Sequence, residues 1–139
     1  MENMPPFKVI EWKKEYNVNV SFIDEHHQKF LEVLNSFQEA SEEGFCKDKM
    51  SEIFFSLVHY AEHYLIREII YFKEYPNFAH HQEAHNNFIE RISIFQNDYQ
   101  AGKEGVCKEM YAFLYDWFQN HILKYDREAV DYLRSKGLT

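Results

Sequence analysis

The chain has 139 residues and a net charge of −8, with no shift in composition along its length, which suits one domain with a core of its own. The acidic balance argues against a nucleic-acid or anionic-membrane partner, no apolar run reaches the roughly 20 residues of a membrane span, and the N-terminus lacks a signal-peptide pattern. Thirteen Phe and ten Tyr against four Gly and three Pro favour long, aromatic-packed helices over strands, in a soluble protein expected in the cytoplasm.

Residues 1–20 read as an irregular arm, with Pro5-Pro6 followed by Trp12, Tyr16, Val18 and Val20; its aromatics predict that it packs on the body. Ser21 with Asp24 three residues later resembles a helix start. The first helix then runs to about residue 42 on the stripe Ile23, His27, Phe30, Leu34, Phe37, spaced four, three, four, three. His27 falls inside that stripe, and His26 is expected on a wetter face with Lys29 and Ser36. Gly44 breaks the chain. A second helix, roughly 48–74, carries Leu57, Tyr60, Ala61, Tyr64, Leu65, Glu68, Tyr71 and Phe72, with Glu68 the one charge in the stripe. After Pro76 a third helix, roughly 77–101, presents His81, His85, Phe88, Ile92, Phe95 and Tyr99 on one face. Gly102 and Gly105 mark a turn. A fourth helix, about 106–124, carries Met110, Phe113, Leu114, Trp117 and His121, and residues 127–136 suggest a short terminal helix before Gly137. The pattern predicts one all-α domain over 1–139: an up-down-up-down four-helix bundle over 21–136, preceded by the arm. Cys46 and Cys107 both fall between predicted helices at one end of such a bundle. A bridge is geometrically open to them, but two free thiols are the expectation in a reducing compartment.

The chemistry sits in the stripes. One inward histidine is ordinary core material; His27, His81, His85 and His121 together with Glu68 and Asp126 are not. Imidazoles and carboxylates in an apolar core lose several kcal/mol each unless a partner offsets their desolvation, and metal is the partner that fits. His81 and His85 are four apart, so both project from one helical face. His121 and Asp126 are five apart, where a bend at the end of the fourth helix brings both inward. Neutral imidazole suits iron, zinc, copper or nickel, and carboxylates can bridge two hard ions. The ligand count points to two ions. His59 and His63, also four apart, are read as a solvated face, and His80 as an exposed neighbour of the ligands.

In order along the chain stand Trp12, Tyr16-Asn17-Val18-Asn19-Val20, Ile23-Asp24-Glu25-His26-His27, Tyr75-Pro76, His81 and His85 with Phe88, and Phe113-Leu114, Trp117-Phe118, His121-Ile122 and Asp126. Taken together at these spacings, they resemble the hemerythrin family in its single-domain bacterial form, over nearly the whole length. The resemblance implies a non-haem di-iron centre with a solvent-derived oxygen between the ions. One iron would take His81, His85 and His121. The other would take His27 and one residue of the second helix and keep a position open for O2. Glu68 and Asp126 would bridge the pair. A dry aromatic pocket would protect what binds there.

Two positions depart from the family pattern. His26 stands where Gln is usual. In the second helix the usual ligand histidine precedes the bridging Glu by four residues, and four before Glu68 is Tyr64. Either Tyr64 is the ligand, as a phenolate, or His63 is, with a one-residue bulge that brings Glu68 into line. The apolar stripe favours Tyr64, since an inward His63 would also turn Ser56, His59 and Arg67 to the core. A phenolate favours ferric iron, so such a centre would oxidise more readily than is usual. The function expected is O2 binding for carriage, storage or delivery, in a monomer or weak homo-oligomer. A di-iron oxidase or peroxidase, and an O2 or redox sensor, are the alternatives at the same site.

Overall fold

The computed structural model describes residues 10–42 and 46–137; Pro5, Pro6 and Gly44 lie outside them. A single 3-10 turn (Lys14–Tyr16) and four helical rods, with no strand, form the secondary structure of the described residues. The first is α1 (Ser21–Glu42). The second is α2 (Cys46–His59), a π-helical segment Tyr60–Leu65, and α3 (Ile66–Tyr71). The third is α4 (Phe78–Gln100). The fourth is α5 (Val106–Asp116), a π-helical segment Trp117–Tyr125, and α6 (Asp126–Ser135). The expected terminal helix is present as α6, but it is no separate piece. Right-handed helical backbone continues through Tyr125 (φ −69°, ψ −41°) and Asp126 (φ −65°, ψ −38°), so the fourth rod runs on where a bend was expected.

The arm is tied down from Ile10 onward. The Asn35 side chain accepts from the Ile10 N–H at 2.9 Å and donates to the Ile10 carbonyl at 3.0 Å. Asp24 accepts from the Val18 and Asn19 N–H groups at 2.8 and 3.1 Å. That pair of bonds holds Asn19 in the left-handed region at φ 62°, a conformation asparagine tolerates better than most residues. Arg134 donates to the Val18 carbonyl at 2.8 Å, and Tyr16 packs edge-on against Phe118 with centroids 5.7 Å apart.

Two apolar clusters fill the interior. The larger includes Phe30, Leu34, Phe37, Met50, Leu57, Leu65, Phe88, Phe95, Tyr111, Leu114 and Phe118. The smaller includes Val18, Ile23, Phe72, Ala129, Val130 and Leu133. Each rod crosses from one cluster to the other, and at each crossing a polar residue intervenes. Along α1 the order is Ile23, His27, Phe30; along the second rod Leu65, Glu68, Phe72; along the fourth Ile122, Asp126, Ala129. A polar layer therefore separates two oily compartments.

The loop end carries one correction. Cys107 is disulfide-bonded, so the expectation of a free thiol there does not hold; the Cys46 side chain lies outside the described residues. Cys107 lies in the first turn of α5, a helix that packs on α2.

Candidate metal centre

Every rod contributes to the polar layer. His27 comes from α1, Glu68 from α3, His81 and His85 from α4, His121 from the second π segment and Asp126 from the start of α6. None is more than 3% exposed. The π geometry explains the fourth rod's pair. In an α-helix, residues five apart point about 140° away from each other. In a π-helix the i→i+5 bond stacks them, and the Asp126 N–H donates to the His121 carbonyl. Both side chains then face the same interior.

The donors fall into two groups whose atoms lie within 4.8 Å of one another: His81, His85, His121 and Asp126, and His27, Glu68 and Asp126. Asp126 belongs to both. Its Oδ2 is 2.9 Å from His27 Nε2, and its Oδ1 is 3.0 Å from His81 Nε2 and 3.1 Å from His121 Nε2. His85 Nε2 stands 3.0 Å from His121 Nε2.

The electrostatics of this cluster are those of a site built for cations. Burial opposes ionisation of Asp126, yet the charge of His121 and the close contacts of His121, His27 and His81 hold its carboxyl well below the usual range. Burial pushes His27 down, but the hydrogen bond and charge of Asp126, then the charges of Glu68 and Asp24, outweigh it and raise the imidazole above its ordinary value. His85 goes the other way, lowered to about 3 by burial and by the charges of His121 and His81. A neutral imidazole is a ligand, whereas a protonated one is not. Glu68 Oε1 is buried with no hydrogen-bond partner, and His81 Nε2 and Asp126 Oδ1, though 3.0 Å apart, are not aligned as a hydrogen bond. Unpaired buried donors and acceptors of this kind are costly, and two imidazole nitrogens pointed at each other need either a shared proton or a cation. The donor set fits metal on both sides of Asp126.

An aromatic shell closes over it. The Trp117 ring stacks on His121 at 3.9 Å and 15°. Phe72 lies 4.6 Å from His81, and Phe88 packs 4.5 Å from Trp117. Tyr60 is buried, its hydroxyl is unpartnered, and burial followed by the charges of Glu68 and Asp126 raises its pKa well above the ordinary value. It stays a neutral phenol beside an anionic layer. Tyr60 and Trp117 both belong to the aromatic stripes expected from the sequence to pack the core and keep water from the ions, and Trp117 stands one helical turn before His121.

At the two departures from the motif the structure adds a connection. The bulge that went with the His63 alternative exists, as the π segment Tyr60–Leu65, but His63 is exposed there and its ring packs 4.2 Å from that of His59. Tyr64 is half-buried with its ring flat on His26, 4.3 Å away at 15°. His26 is not on a wet face: it is 1% exposed, and its Nδ1 is 3.0 Å from Glu68 Oε2. The first helix buries a wider arc than one stripe, because the second rod packs against the side that carries Phe22 and His26. Apolar Phe22 four residues before and Val33 seven after were the signal.

Residues 18–133 match the family described as the Hemerythrin HHE cation binding domain. The chain is 31% identical over 128 residues to a bacteriohemerythrin of Clostridium acetobutylicum, covering 86% of this chain and 98% of that one. It is 30% identical over 125 residues to a bacteriohemerythrin of Pseudomonas aeruginosa, covering 88% and 80%. To a bacteriohemerythrin of Stenotrophomonas maltophilia it is 26% identical over 129 residues, covering 91% and 83%. A family match over most of the chain, on a four-rod bundle with buried histidines and carboxylates drawn from every rod, places this protein in the hemerythrin family.

Proposed function

We propose that the protein holds two iron ions in this layer and binds O2 there, for carriage, storage or delivery. The observation that carries the reading is the division of the buried donors into two groups that share Asp126. One ion would be held by His81, His85 and His121, the other by His27 and Glu68, with Asp126 shared between them. Tyr64, expected as a further donor, is left out of this set: its ring lies flat on His26 and lines the open cleft between α1 and the second rod.

Bound iron would supply two one-electron reductants side by side, matched to a two-electron acceptor such as O2. The chain's own residues set the conditions. The lowered pKa of His85 keeps that imidazole neutral and available as a donor near pH 7. Asp126 stays anionic although fully buried, which favours cations on both of its oxygens. Trp117, Phe72 and Phe88 exclude water, so protons reach the centre slowly. Tyr60 keeps its proton inside that shell.

Iron analysis with an O2 titration of the anaerobically reduced protein tests this. About two irons per chain and a visible spectrum that appears with O2 and reverses under inert gas are expected. Rapid conversion to a ferric form with release of peroxide would assign oxidase chemistry instead. Fewer than one iron per chain after reconstitution would end the reading.

A further inference from the structure

The His27 side of the centre has one imidazole, against three on the other side, and a second buried imidazole stands directly behind it. His26 is in neither donor group, yet it is as buried as the residues that are. Its Nδ1 meets Glu68 Oε2 at 3.0 Å. An ionised carboxylate only accepts hydrogen bonds, so in this contact Nδ1 carries the hydrogen and has no lone pair to give a metal. The other Glu68 oxygen, Oε1, is buried and unpartnered. One oxygen of the carboxylate is thus tethered and the other left free.

The tether is itself held. The Tyr64 ring covers one face of His26 at 4.3 Å and 15°, and Phe22 meets the imidazole edge-on at 5.4 Å. Tyr64 also lines an open cleft of about 250 Å³ between α1 and the second rod. It therefore stands between His26 and solvent on the side where the wide π turn spreads the rod.

We propose that His26 is a positioning residue for Glu68: clamped by Tyr64, it fixes the carboxylate by one oxygen so that the other is presented to the ion on the His27 side. The proposal rests on the reading of this layer as a two-ion centre. Partners that orient a ligand from behind are worth about 10- to 100-fold in metal affinity. That effect should fall on one ion of the two.

The test uses the full chain, reconstituted with ferrous iron, as wild type, His26→Ala, His26→Gln and Tyr64→Leu. Far-UV circular dichroism checks the fold, and iron retention is measured against a graded chelator. His26→Ala should hold one iron as wild type does and lose the other about 10- to 100-fold more easily. His26→Gln, whose amide can donate the same bond, should recover most of that loss, and Tyr64→Leu should reproduce part of it. Equal retention of both ions in His26→Ala overturns the proposal. So does a glutamine variant no better than the alanine one, because filling space would then be the whole role. X-ray absorption showing that His26→Ala removes a nitrogen from the iron shell also overturns it, in favour of direct ligation. A wild-type chain that takes up no iron fails the reading of the centre instead. Crystal structures of the metal-free wild type and His26→Ala then decide this point, since a Glu68 that keeps its place without the imidazole sinks it.

Discussion

The two sides of the polar layer solve one problem in different ways. On the three-histidine side, His81 and His85 project from one face of α4 and meet His121 on the neighbouring rod, and rings lie directly against them: Trp117 on His121 and Phe72 on His81. On the other side His27 is alone with two carboxylates, and the next imidazole is bonded to one of them. The first side is rich in nitrogen and sealed by apolar rings; the second is rich in oxygen and steadied by a polar contact. Nitrogen donors suit the borderline metals and carboxylates the harder ions, so the two ions would sit in unlike fields even if chemically identical. Half of a paired site can change its donors provided that the carboxylate shared with the other half stays fixed.

Asp126 is where that comparison can be broken outright. It touches His27 on one side and His81 and His121 on the other. Asp126→Ala should abolish both ions together, by more than the ~100-fold that loss of a mere supporting partner costs. Iron analysis after desalting reads this directly. Retention of one iron would show that the two sides are independent and that the shared carboxylate is not their hinge.

Metal removal should have the next largest effect, on stability. An ion that binds only the folded chain stabilises it by about 4 kcal/mol when present at a thousand times its dissociation constant. For a domain near 140 residues that is roughly 10 °C or more in melting temperature. Calorimetry of the iron-loaded and chelated forms should show at least that difference. Equal melting temperatures would mean that the buried donors satisfy one another without a cation.

How much of this was legible in the sequence follows from periodicity. His27, His81 and His85 fall on α-helical stripes, so a period of 3.6 exposes them. His121 and Asp126 do not share an α-helical face, and their spacing of five makes sense only in the π segment, Trp117–Tyr125. No local propensity announces a π turn; it is favoured here because it brings two polar side chains into one site. The second rod taught the opposite lesson. A bulge could be inferred from the mismatch between His63 and Glu68, and the π segment is there, yet it leaves His63 exposed. The burial of His26 was hidden because a helix packed on two sides has two inward arcs, and the stronger stripe masked the weaker one.

The metal-free protein offers a smaller test of the nitrogen-rich side. His85 has a folded-state pKa of about 3, below its ordinary value, so between about pH 6.5 and 3 the unfolded chain binds a proton that the folded one refuses. Stability from this residue is therefore complete above about pH 6.5 and is lost as the pH falls. His27, raised above its ordinary value, works in the other sense. It adds stability below about pH 6.5 that is lost as the pH rises through its folded-state pKa. Replacing His85 by Leu removes the first contribution and keeps the second. Urea unfolding of the chelated proteins should give a wild-type stability that falls with acid more steeply than the variant's, by up to about 1.4 kcal/mol per pH unit. Parallel profiles would show that His85 can be protonated in place, and so is not held as a neutral ligand.

The smallest effect is expected at Tyr64, and it sharpens the comparison most. Its ring lies on His26, and a ring contact does not require the hydroxyl. Tyr64→Phe should keep the stack, the tether on Glu68 and both irons, with retention changed by less than the ~10-fold at the bottom of the range for supporting partners. A phenolate bound to ferric iron, by contrast, gives a visible charge-transfer band that this variant would abolish. The two outcomes place the tyrosine in different roles. An unchanged spectrum makes it the clamp on a supporting histidine, so the oxygen-rich side works with His27 as its one nitrogen donor. A lost band makes it a third oxygen donor, which would draw that iron further toward the ferric state and away from reversible O2 binding.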